Sequence, residues 1–452
     1  MFEKILIANR GEIACRIIRE CKRLGILSVA VFPEPDRDSL HSKLADESLS
    51  LGPDPYAYMD MDVIIKAATE SESDAIHPGY GFLSENPSFR RACDEEGIAF
   101  IGPSERNMRE MRDKVKAREF MKRYLPVVPG TQVLEDFNDA KRKAIEIGYP
   151  IILKAVSGGG GRGLRIVNSK EELRKFSSAS REAEKTFKDK RIYIEKYFEN
   201  VRHIEFQVLE DGENFFCLGE RECSIQRRHQ KLLEEAPSFL REKVRKEISK
   251  KILKALKALK YESAGTLEFL IDENGYCFIE MNTRIQVEHP VTEMVCSLNL
   301  VEQQIRIASL KPLNLDFNIS GHSIECRINA ENPKTFVPSL GRIVEYREPK
   351  VRVDTGVYEG YEITPYYDTL LSKVVVLGKD REKAISKMKK ALKSYVISGI
   401  ETNIPLHLKI LNDYHFLTGK IDTSFLKRIS LEDKKVLKIQ SSENLWKLSE
   451  RL

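Results

Sequence analysis

The sequence predicts a multidomain protein of the α/β and α+β classes that begins with a doubly wound parallel sheet. The chain has 452 residues, short apolar runs alternate with amphipathic segments near the N-terminus, and a strand-rich pattern follows. A single hydrophobic core rarely serves a chain of this length, so we expect several domains. We place them at residues 1–112, 113–310 and 311–452, the last being a mixed α+β domain.

The N-terminal region alternates strand and helix patterns. Ile5–Ala8 is an apolar run typical of a buried strand, Gly11 opens a helical pattern, and Gly25 ends it. Further strand patterns lie at Ser28–Phe32, Leu49–Leu51, Asp74–His77 and Ile98–Ile101. Strands that alternate with helices predict a parallel sheet covered on both faces.

The central region contains mostly strands, interrupted by one long helix. We expect strands at Pro150–Lys154, Leu164–Val167, Arg191–Glu195, Ile204–Leu209 and Phe215–Gly219, and a helix over Glu242–Lys260. After residue 311 the clearest element is an amphipathic helix on Ala384, Ile385, Met388, Ala391, Leu392 and Tyr395.

Composition excludes several classes of protein. The chain has 74 basic and 69 acidic residues, a net charge of +5, and no Lys/Arg block clear of acids, so we do not expect nucleic-acid binding. Charges interrupt the N-terminal apolar run, so we predict neither a signal peptide nor a membrane span. The eight scattered cysteines are typical of reduced core residues, and we expect a cytoplasmic protein.

A glycine-rich loop follows the strand that ends at Lys154. Residues 157–163 read SGGGGRG, and residues without bulk let backbone N–H groups approach phosphate oxygens. No Gly-Lys-Ser/Thr ends the loop and a strand follows it, so it is not a Walker loop. A surface linker is the alternative, but linkers seldom lie between two apolar strands. We expect a mobile flap over a nucleotide.

Glu268 and Glu280 are predicted to face each other across a hairpin that turns near residue 274. Residues opposite each other in an antiparallel pair point to the same face, where two carboxylates repel unless a cation lies between them. With Asn282, these acids offer the oxygen ligands that Mg²⁺ prefers.

The polar pattern continues at every second residue after Glu280. An extended chain would put these side chains on one face: Glu280, Asn282, Arg284, Gln286 and Glu288. A solvated strand face is the common explanation of such a pattern. The opposed acids and the alternation of Arg with Glu favour a functional site instead.

Two other segments allow more than one interpretation. The basic run at residues 226–231 has no aromatic partners for nucleic acid; it is either a solvated turn or a set of donors around a sugar or carboxylate. The turn at residues 9–14 lacks the G-x-G-x-x-G spacing, which argues against a dehydrogenase.

Seven motifs follow one another along nearly the whole chain. They are ANRGEIA at 8–14, HPGYGFLSEN at 77–86, SGGGGRG at 157–163, RHIEFQV at 202–208, CSIQRRHQKLLEEAP at 223–237, FIEMNTRIQVEHPVTEM at 278–294 and ECRINAE at 325–331. This ordered set resembles the biotin carboxylase family of the ATP-grasp superfamily. The resemblance implies a central ATP-grasp domain with a mobile glycine-loop lid at about 126–197, between a Rossmann-like N-terminal domain and a C-terminal domain.

The implied reaction is the ATP-dependent carboxylation of biotin by bicarbonate through carboxyphosphate, with Mg²⁺, or alternatively Mn²⁺, held by Glu268, Glu280 and Asn282. The resemblance assigns ATP to Lys114, Lys154, Gly160, Gly161, Glu195, Lys196, Phe198, His203, Gln226, His229, Glu268 and Glu280. It assigns bicarbonate to Lys231, Arg284, Gln286, Val287 and Glu288, with Glu288 as general base. It places Arg327 at the biotin ureido oxygen, although the residues alone favour a structural ion pair for Arg327.

The resemblance also implies partners. No A-M-K-M-like biotinylation sequence is present and no carboxyltransferase region follows, so we expect the biotin carboxyl carrier protein and the transferase on separate chains, and a homodimer. The final acceptor (pyruvate, acetyl-CoA or propionyl-CoA) stays open.

The alternatives are two. Another ATP-grasp enzyme, a carboxylate–amine ligase or a carbamoyl-phosphate-forming enzyme, would have no obvious use for Arg284, Glu288 and Arg327. A non-catalytic nucleotide-binding or scaffold protein would not need Glu268, Glu280 and Glu288.

Overall fold

The computed structural model describes residues 1–158, 163–227 and 229–429. Within them, three sheets carry the architecture: one of five strands, one of three and one of eight. Gly160 and Gly161, at the centre of the predicted flap, lie outside the described residues. The predicted α/β and α+β architecture is confirmed, and the limits of the individual domains stay a prediction.

The N-terminal region forms the predicted parallel sheet. Its strands are β1 (Lys4–Ile7), β2 (Leu27–Phe32), β3 (Glu47–Ser50), β4 (Ala75–His77) and β5 (Ala99–Phe100), in the order β3-β2-β1-β4-β5. Its helices are α1 (Gly11–Leu24), α2 (Leu40–Leu44), α3 (Met61–Glu70), α4 (Pro87–Glu95) and α5 (Glu105–Arg112). Gly25 ends α1 with φ 71°, a conformation that costs glycine little.

A small three-stranded sheet lies within the predicted lid. Helix α6 (Lys114–Met121) precedes the lid, which contains α7 (Phe137–Ile147), β6 (Ile151–Ala155), β7 (Leu164–Val167), α8 (Lys175–Phe187) and β8 (Ile192–Lys196). The strand order is β7-β6-β8, and both pairs are antiparallel. Buried residues of these strands and of α7 and α8 form a separate apolar core. This sheet is therefore a unit distinct from the large sheet beside it.

The strands after the lid form hairpins. They are β9 (Arg202–Glu210), β10 (Phe215–Arg227), β11 (Gln230–Ala236), β12 (Ser263–Asp272) and β13 (Gly275–Asn282), with helices α9 (Glu242–Leu259), α10 (His289–Cys296) and α11 (Leu300–Ala308). The prediction that the second of these strands ends at Gly219 is wrong, because β10 continues to Arg227. Buried charged residues such as Arg221 hide its alternation. The described residues of the basic run at 226–231 lie at the end of β10 and the start of β11.

The C-terminal region extends the same sheet. It contains β14 (His322–Asn329), β15 (Gly341–Arg342), β16 (Glu345–Arg347), β17 (Arg352–Thr355), β18 (Glu362–Ile363), β19 (Leu370–Gly378), α12 (Arg381–Ser394), β20 (Val396–Ser398), α13 (Ile404–Ile410) and α14 (Tyr414–Leu417). The eight-stranded order is β13-β12-β9-β10-β11-β14-β19-β17, antiparallel throughout. Pairing of Leu233 with Cys326 joins β11 to β14 across the boundary predicted at residue 310.

The state of the cysteines agrees with the prediction of reduced core residues. All eight cysteines are free thiols and most of them are buried. None of the helices in the described part of the chain has the length and apolar character required to span a bilayer.

One buried acid at the end of β9 gives the fold a pH dependence. Glu210 is fully buried, and neither of its carboxylate oxygens has a hydrogen-bond partner in the part of the chain that the structure describes. Burial, helped by repulsion from Asp211, raises the pKa of Glu210 to about 9. Below about pH 4.3 both folded and unfolded chains hold this proton; above it only the folded chain does, until the pH reaches the folded pKa.

Glu210 is therefore expected to lower the free energy of unfolding steadily as pH rises from about 4.3 to about 9. The free energy of unfolding of the parent should fall between pH 5 and pH 8. In Glu210→Gln the fall should be smaller by at least ~1 kcal/mol, as measured by urea unfolding at both pH values. Glu213→Gln, at an exposed turn position, serves as the control. Equal pH slopes for the parent and Glu210→Gln would contradict this assignment.

Candidate active site

Two acids oppose each other across the β12–β13 hairpin, as predicted. Glu268 pairs with Glu280 in the strand register, so both side chains point to one face of the sheet. Lys114, on α6, places its Nζ 2.5 Å from Glu280 Oε2. On the other acid, His203 Nε2 lies 2.6 Å from Glu268 Oε2. Each carboxylate therefore has a nitrogen donor of its own.

These partners decide the ionisation of the two acids. Burial alone raises the pKa of Glu268, but Lys231 and His203 more than offset it and the pKa lies below its usual range. Burial likewise opposes ionisation of Glu280, and Lys114 lowers its pKa despite the repulsion from Glu268. Both acids are thus anions at neutral pH, available as oxygen ligands.

The predicted five-residue polar face is only partly correct. β13 ends at Asn282, and the chain then turns toward α10 instead of remaining extended, because Pro290 at the second position of that helix favours a helix start. The polar residues still converge through hydrogen bonds. Asn282 Nδ2 and Gln286 Nε2 donate to Glu268 Oε1 at 2.6 and 2.9 Å. Arg284 donates to Asn282 Oδ1 at 3.1 Å and to Gln286 Oε1 at 3.0 Å.

Lys231, on β11, lies among three carboxylates. Its Nζ bonds Glu205, lies 3.3 Å from Glu268 Oε1 and lies 2.6 Å from Glu288 Oε1. Burial disfavours the ammonium, but these three acids raise the pKa of Lys231 well above its usual value. The lysine is therefore a permanent cation at the centre of the cluster.

Glu288, at the start of α10, is held between two cations. Its other oxygen accepts a hydrogen bond from Arg327 Nη2 at 2.9 Å. Burial favours the neutral acid, yet Lys231 and Arg327 bring the pKa of Glu288 well below its usual range. Arg327 also donates from Nε to Glu234 Oε1 at 2.7 Å. It therefore forms the ion pair expected of a structural residue and at the same time contacts the predicted base.

The lid sheet contributes a second ion pair beside this cluster. Lys154 Nζ, on β6, lies 2.5 Å from Glu195 Oε2 on β8, and both side chains are buried. The next residue, Lys196, points elsewhere: its Nζ donates to the carbonyl oxygens of Gly148 and Tyr149 at 3.0 and 3.1 Å.

Four more of the predicted ATP contacts lie on strands, or between strands, from β8 to β11. Gln226 Nε2, on β10, lies 2.6 Å from His203 Nδ1, which leaves the opposite ring nitrogen to Glu268. Phe198 is half-buried just after β8, while His229 is exposed with φ 66° between β10 and β11. The carbonyl of Val287 accepts from Lys373 Nζ at 2.9 Å, which fixes the loop before α10.

Several residues that support the cluster were not predicted from the sequence. Arg221 is fully buried and donates to Glu205 Oε1 at 2.5 Å, Gln207 Oε1 at 2.7 Å and Thr292 Oγ1 at 2.9 Å. Glu85 accepts from Arg284 Nε at 3.0 Å. A signal for part of this network was present, since polar residues occupy every second position of β9 at 203, 205 and 207.

Family models match almost the whole chain. The model described as Biotin carboxylase, N-terminal domain matches residues 1–108, and Biotin carboxylase C-terminal domain matches residues 325–428. Between them, residues 113–316 match Carbamoyl-phosphate synthase L chain, ATP binding domain.

Curated relatives and solved structures agree. The chain is 50% identical to Biotin carboxylase 1 of Bacillus subtilis, covering 94% of this chain and 98% of that protein, and 48% identical to the Biotin carboxylase of Haemophilus influenzae, covering 95% and 99%. The biotin carboxylase domain dimer of Hydrogenobacter thermophilus 2-oxoglutarate carboxylase, solved with MgADP, ADP and bicarbonate, superposes with a TM-score of 0.93 at 50% identity, covering 95% and 98%. A biotin carboxylase complex with β,γ-ATP from Campylobacter jejuni gives 0.93 at 47%, covering 95% and 99%. As the motifs predicted, the chain belongs to the biotin carboxylase family and has the ATP-grasp fold.

Proposed function

We propose that this chain is a ligase that carboxylates biotin on a separate carrier protein with bicarbonate and ATP, the first half-reaction of a biotin-dependent carboxylase. The observation that carries the proposal is one buried carboxylate, Glu288, held by Lys231 at 2.6 Å and Arg327 at 2.9 Å beside the paired acids of the hairpin. A base, two cations and a metal-binding acid pair are what phosphoryl transfer to bicarbonate requires.

ATP would bind between the lid sheet and the large sheet. Lys114 and Lys154 are the proposed phosphate ligands, and each now lies 2.5 Å from a carboxylate, on Glu280 and Glu195. The phosphate chain of ATP carries more negative charge than one carboxylate. Its oxygens would therefore compete with Glu280 and Glu195 for the two ammonium groups. The remaining proposed ATP contacts are Gly160, Gly161, Glu195, Lys196, Phe198, His203, Gln226 and His229.

The residues of the hairpin fit Mg²⁺. Glu268 and Glu280 are both ionised and opposed on one face, and Asn282 adds an amide oxygen, so the donor set consists of oxygen atoms alone. We propose these three residues as the metal ligands. When bound, the ion would neutralise phosphate charge and polarise the bond to the transferred phosphoryl group.

Bicarbonate would bind where Lys231, Arg284 and Gln286 meet, beside the backbone of Val287. Glu288 takes its proton as the anion attacks the γ-phosphorus, forming carboxyphosphate and ADP. The low resting pKa of Glu288 keeps the base ionised until substrate arrives. A second anion beside it then raises the pKa, because like charges oppose ionisation, and the carboxylate becomes a stronger base.

Arg327 serves the second step. Carboxyphosphate breaks down to CO₂ and phosphate, the phosphate takes the N1 proton of biotin, and N1 attacks CO₂. Negative charge develops on the ureido oxygen when N1 loses its proton, before the attack on CO₂. The fixed guanidinium groups of Arg327 and Arg284 can stabilise it, because they are already held by Glu234, Glu288 and Glu85 and need not reorganise.

We also propose a homodimer that works in the cytoplasm with a carrier protein and a carboxyltransferase on other chains. Support comes from the dimer named for the Hydrogenobacter thermophilus relative and from coverage of 98% of Bacillus subtilis Biotin carboxylase 1. The free thiols suit a reducing compartment.

ADP release tests the proposed function directly. Release should require bicarbonate and should rise when free biotin is added, because biotin N1 is the final acceptor in this half-reaction. The control replaces biotin with an amine. Stimulation by the amine in place of biotin would favour a carbamoyl-phosphate-forming or carboxylate–amine ligase.

Glu280→Gln should reduce Mg²⁺-dependent turnover by at least ~10²-fold, because an amide cannot supply the missing charge of a metal ligand. The melting temperature should stay close to that of the parent. Glu273→Gln, at the exposed turn of the same hairpin, is the matched control and should keep full activity. A near-normal rate in Glu280→Gln would remove Glu280 from the metal site.

Arg327→Ala should leave the Kd for ATP within about twofold of the parent and reduce biotin carboxylation by at least ~10²-fold. Replacing Arg327 leaves Glu234 without this cation, and burial already raises the pKa of Glu234 to about 7. The comparison is therefore made in Arg327→Ala/Glu234→Gln as well, where position 234 carries no acid and Glu288 keeps its contact with Lys231. Equal losses of ATP binding and carboxylation in both variants would mean that Arg327 is structural.

A further inference from the structure

Helix α6 presents two cations to the site on one face. Lys114 and Arg118 are separated by one helical turn, so their side chains are neighbours on the helix surface. Lys114 reaches Glu280 of the large sheet, whereas Arg118 reaches the lid and donates from Nη2 to the carbonyl of Thr131. The lysine already has a proposed role toward ATP; the arginine has none.

The other terminal nitrogen of Arg118, Nη1, forms no hydrogen bond and makes only a long ion-pair contact. Arg118 is only 3% exposed, and among the described residues its buried Nη1 has no hydrogen-bond partner. That nitrogen lies 4.0 Å from Glu195 Oε1, while Lys154 holds the other oxygen of the same carboxylate at 2.5 Å. A buried N–H group without an acceptor is costly and rare, so its persistence calls for a second state in which it is paired.

The chain makes room for this guanidinium. A Cβ atom on Gly130 would overlap Arg118 Nη1 and would lie 2.7 Å from the carbonyl oxygen of Ile194. Gly130 itself bridges to Glu195 in the backbone pairing. Only a glycine at this position lets the arginine lie against the strand that carries Glu195, so the proximity of the two charges is built into the backbone.

We propose that Glu195 exchanges partners when ATP binds: Lys154 leaves the carboxylate for a phosphate, and Arg118 Nη1 replaces it. This rests on the proposed function, in which Lys154 is a phosphate ligand. Glu195 is only 2% exposed, and a carboxylate buried there without a cation would be strongly unfavourable. By taking over the carboxylate, Arg118 lowers the cost of releasing Lys154. Arg118 is thus a positioning residue for nucleotide binding.

Calorimetric titration with MgATP tests the exchange without turnover. Arg118→Met should weaken the Kd by about tenfold, the loss of one charge-assisted hydrogen bond, and leave the KM for bicarbonate within about twofold. Arg118→Lys, which keeps a cation, should recover most of the affinity. Lys116→Met removes an exposed cation from the same helix and should change nothing. An unchanged Kd in Arg118→Met would overturn the proposal.

A double-variant comparison separates exchange from general packing. In a Glu195→Gln background the carboxylate is gone, so adding Arg118→Met should change the Kd for MgATP by less than about twofold. A full tenfold loss in that background would show that Arg118 acts elsewhere and would reject the proposal.

A structure of the parent chain with a non-hydrolysable ATP analogue needs no variant and so avoids any folding defect. Arg118 Nη1 should then lie about 3 Å from Glu195, with Lys154 turned to phosphate. Retention of the Lys154–Glu195 contact beside bound nucleotide would exclude the exchange. Neither binding nor structure depends on biotin carboxylation, so failure of ADP release to respond to biotin would reject the proposed function alone.

Discussion

The structure depends on the neutralisation of buried carboxylates around one ammonium group. Glu205, Glu268 and Glu288 are each at most 4% exposed, and Lys231 contacts all three. Like charges this close would repel strongly in a dry interior. The cation makes the arrangement tolerable, and it keeps Glu268 and Glu288 ionised in a place from which water is largely excluded. That combination allows a protein to bind anions and move a proton at neutral pH.

Arg221 supports this arrangement from within the sheet. Arg221 is fully buried, and its donors engage Glu205, Gln207 and two threonine hydroxyl groups, so its charge is compensated within the sheet. Burial and repulsion from Glu288 nevertheless raise the pKa of Glu205. The charged side chains therefore hold one another in place, and replacing any one of them alters the ionisation of its neighbours.

Much of the fold and of the candidate site could be predicted from local sequence signals. The elements that could not be predicted were missed for physical reasons. The hairpin of Glu268 and Glu280 follows from the turn near Asn274, and the N-terminal strands follow from short apolar runs that alternate with helical patterns. β11 and the second half of β10 were missed because their charged residues are buried in pairs, which conceals the alternation on which strand prediction depends. β11 and β14 are far apart in the sequence, and neither segment alone contains a signal that predicts their pairing.

The eight-stranded sheet continues from the central region into the C-terminal region, and this continuity constrains the proposed site. Lys231 on β11 and Arg327 on β14 belong to adjacent strands joined by backbone hydrogen bonds. The spacing between the anion pocket and the group that would meet biotin is consequently fixed by covalent and hydrogen-bond geometry, as on a rigid plate. We therefore expect any opening or closing during the proposed catalytic cycle to involve the small three-stranded layer, whose apolar core is its own.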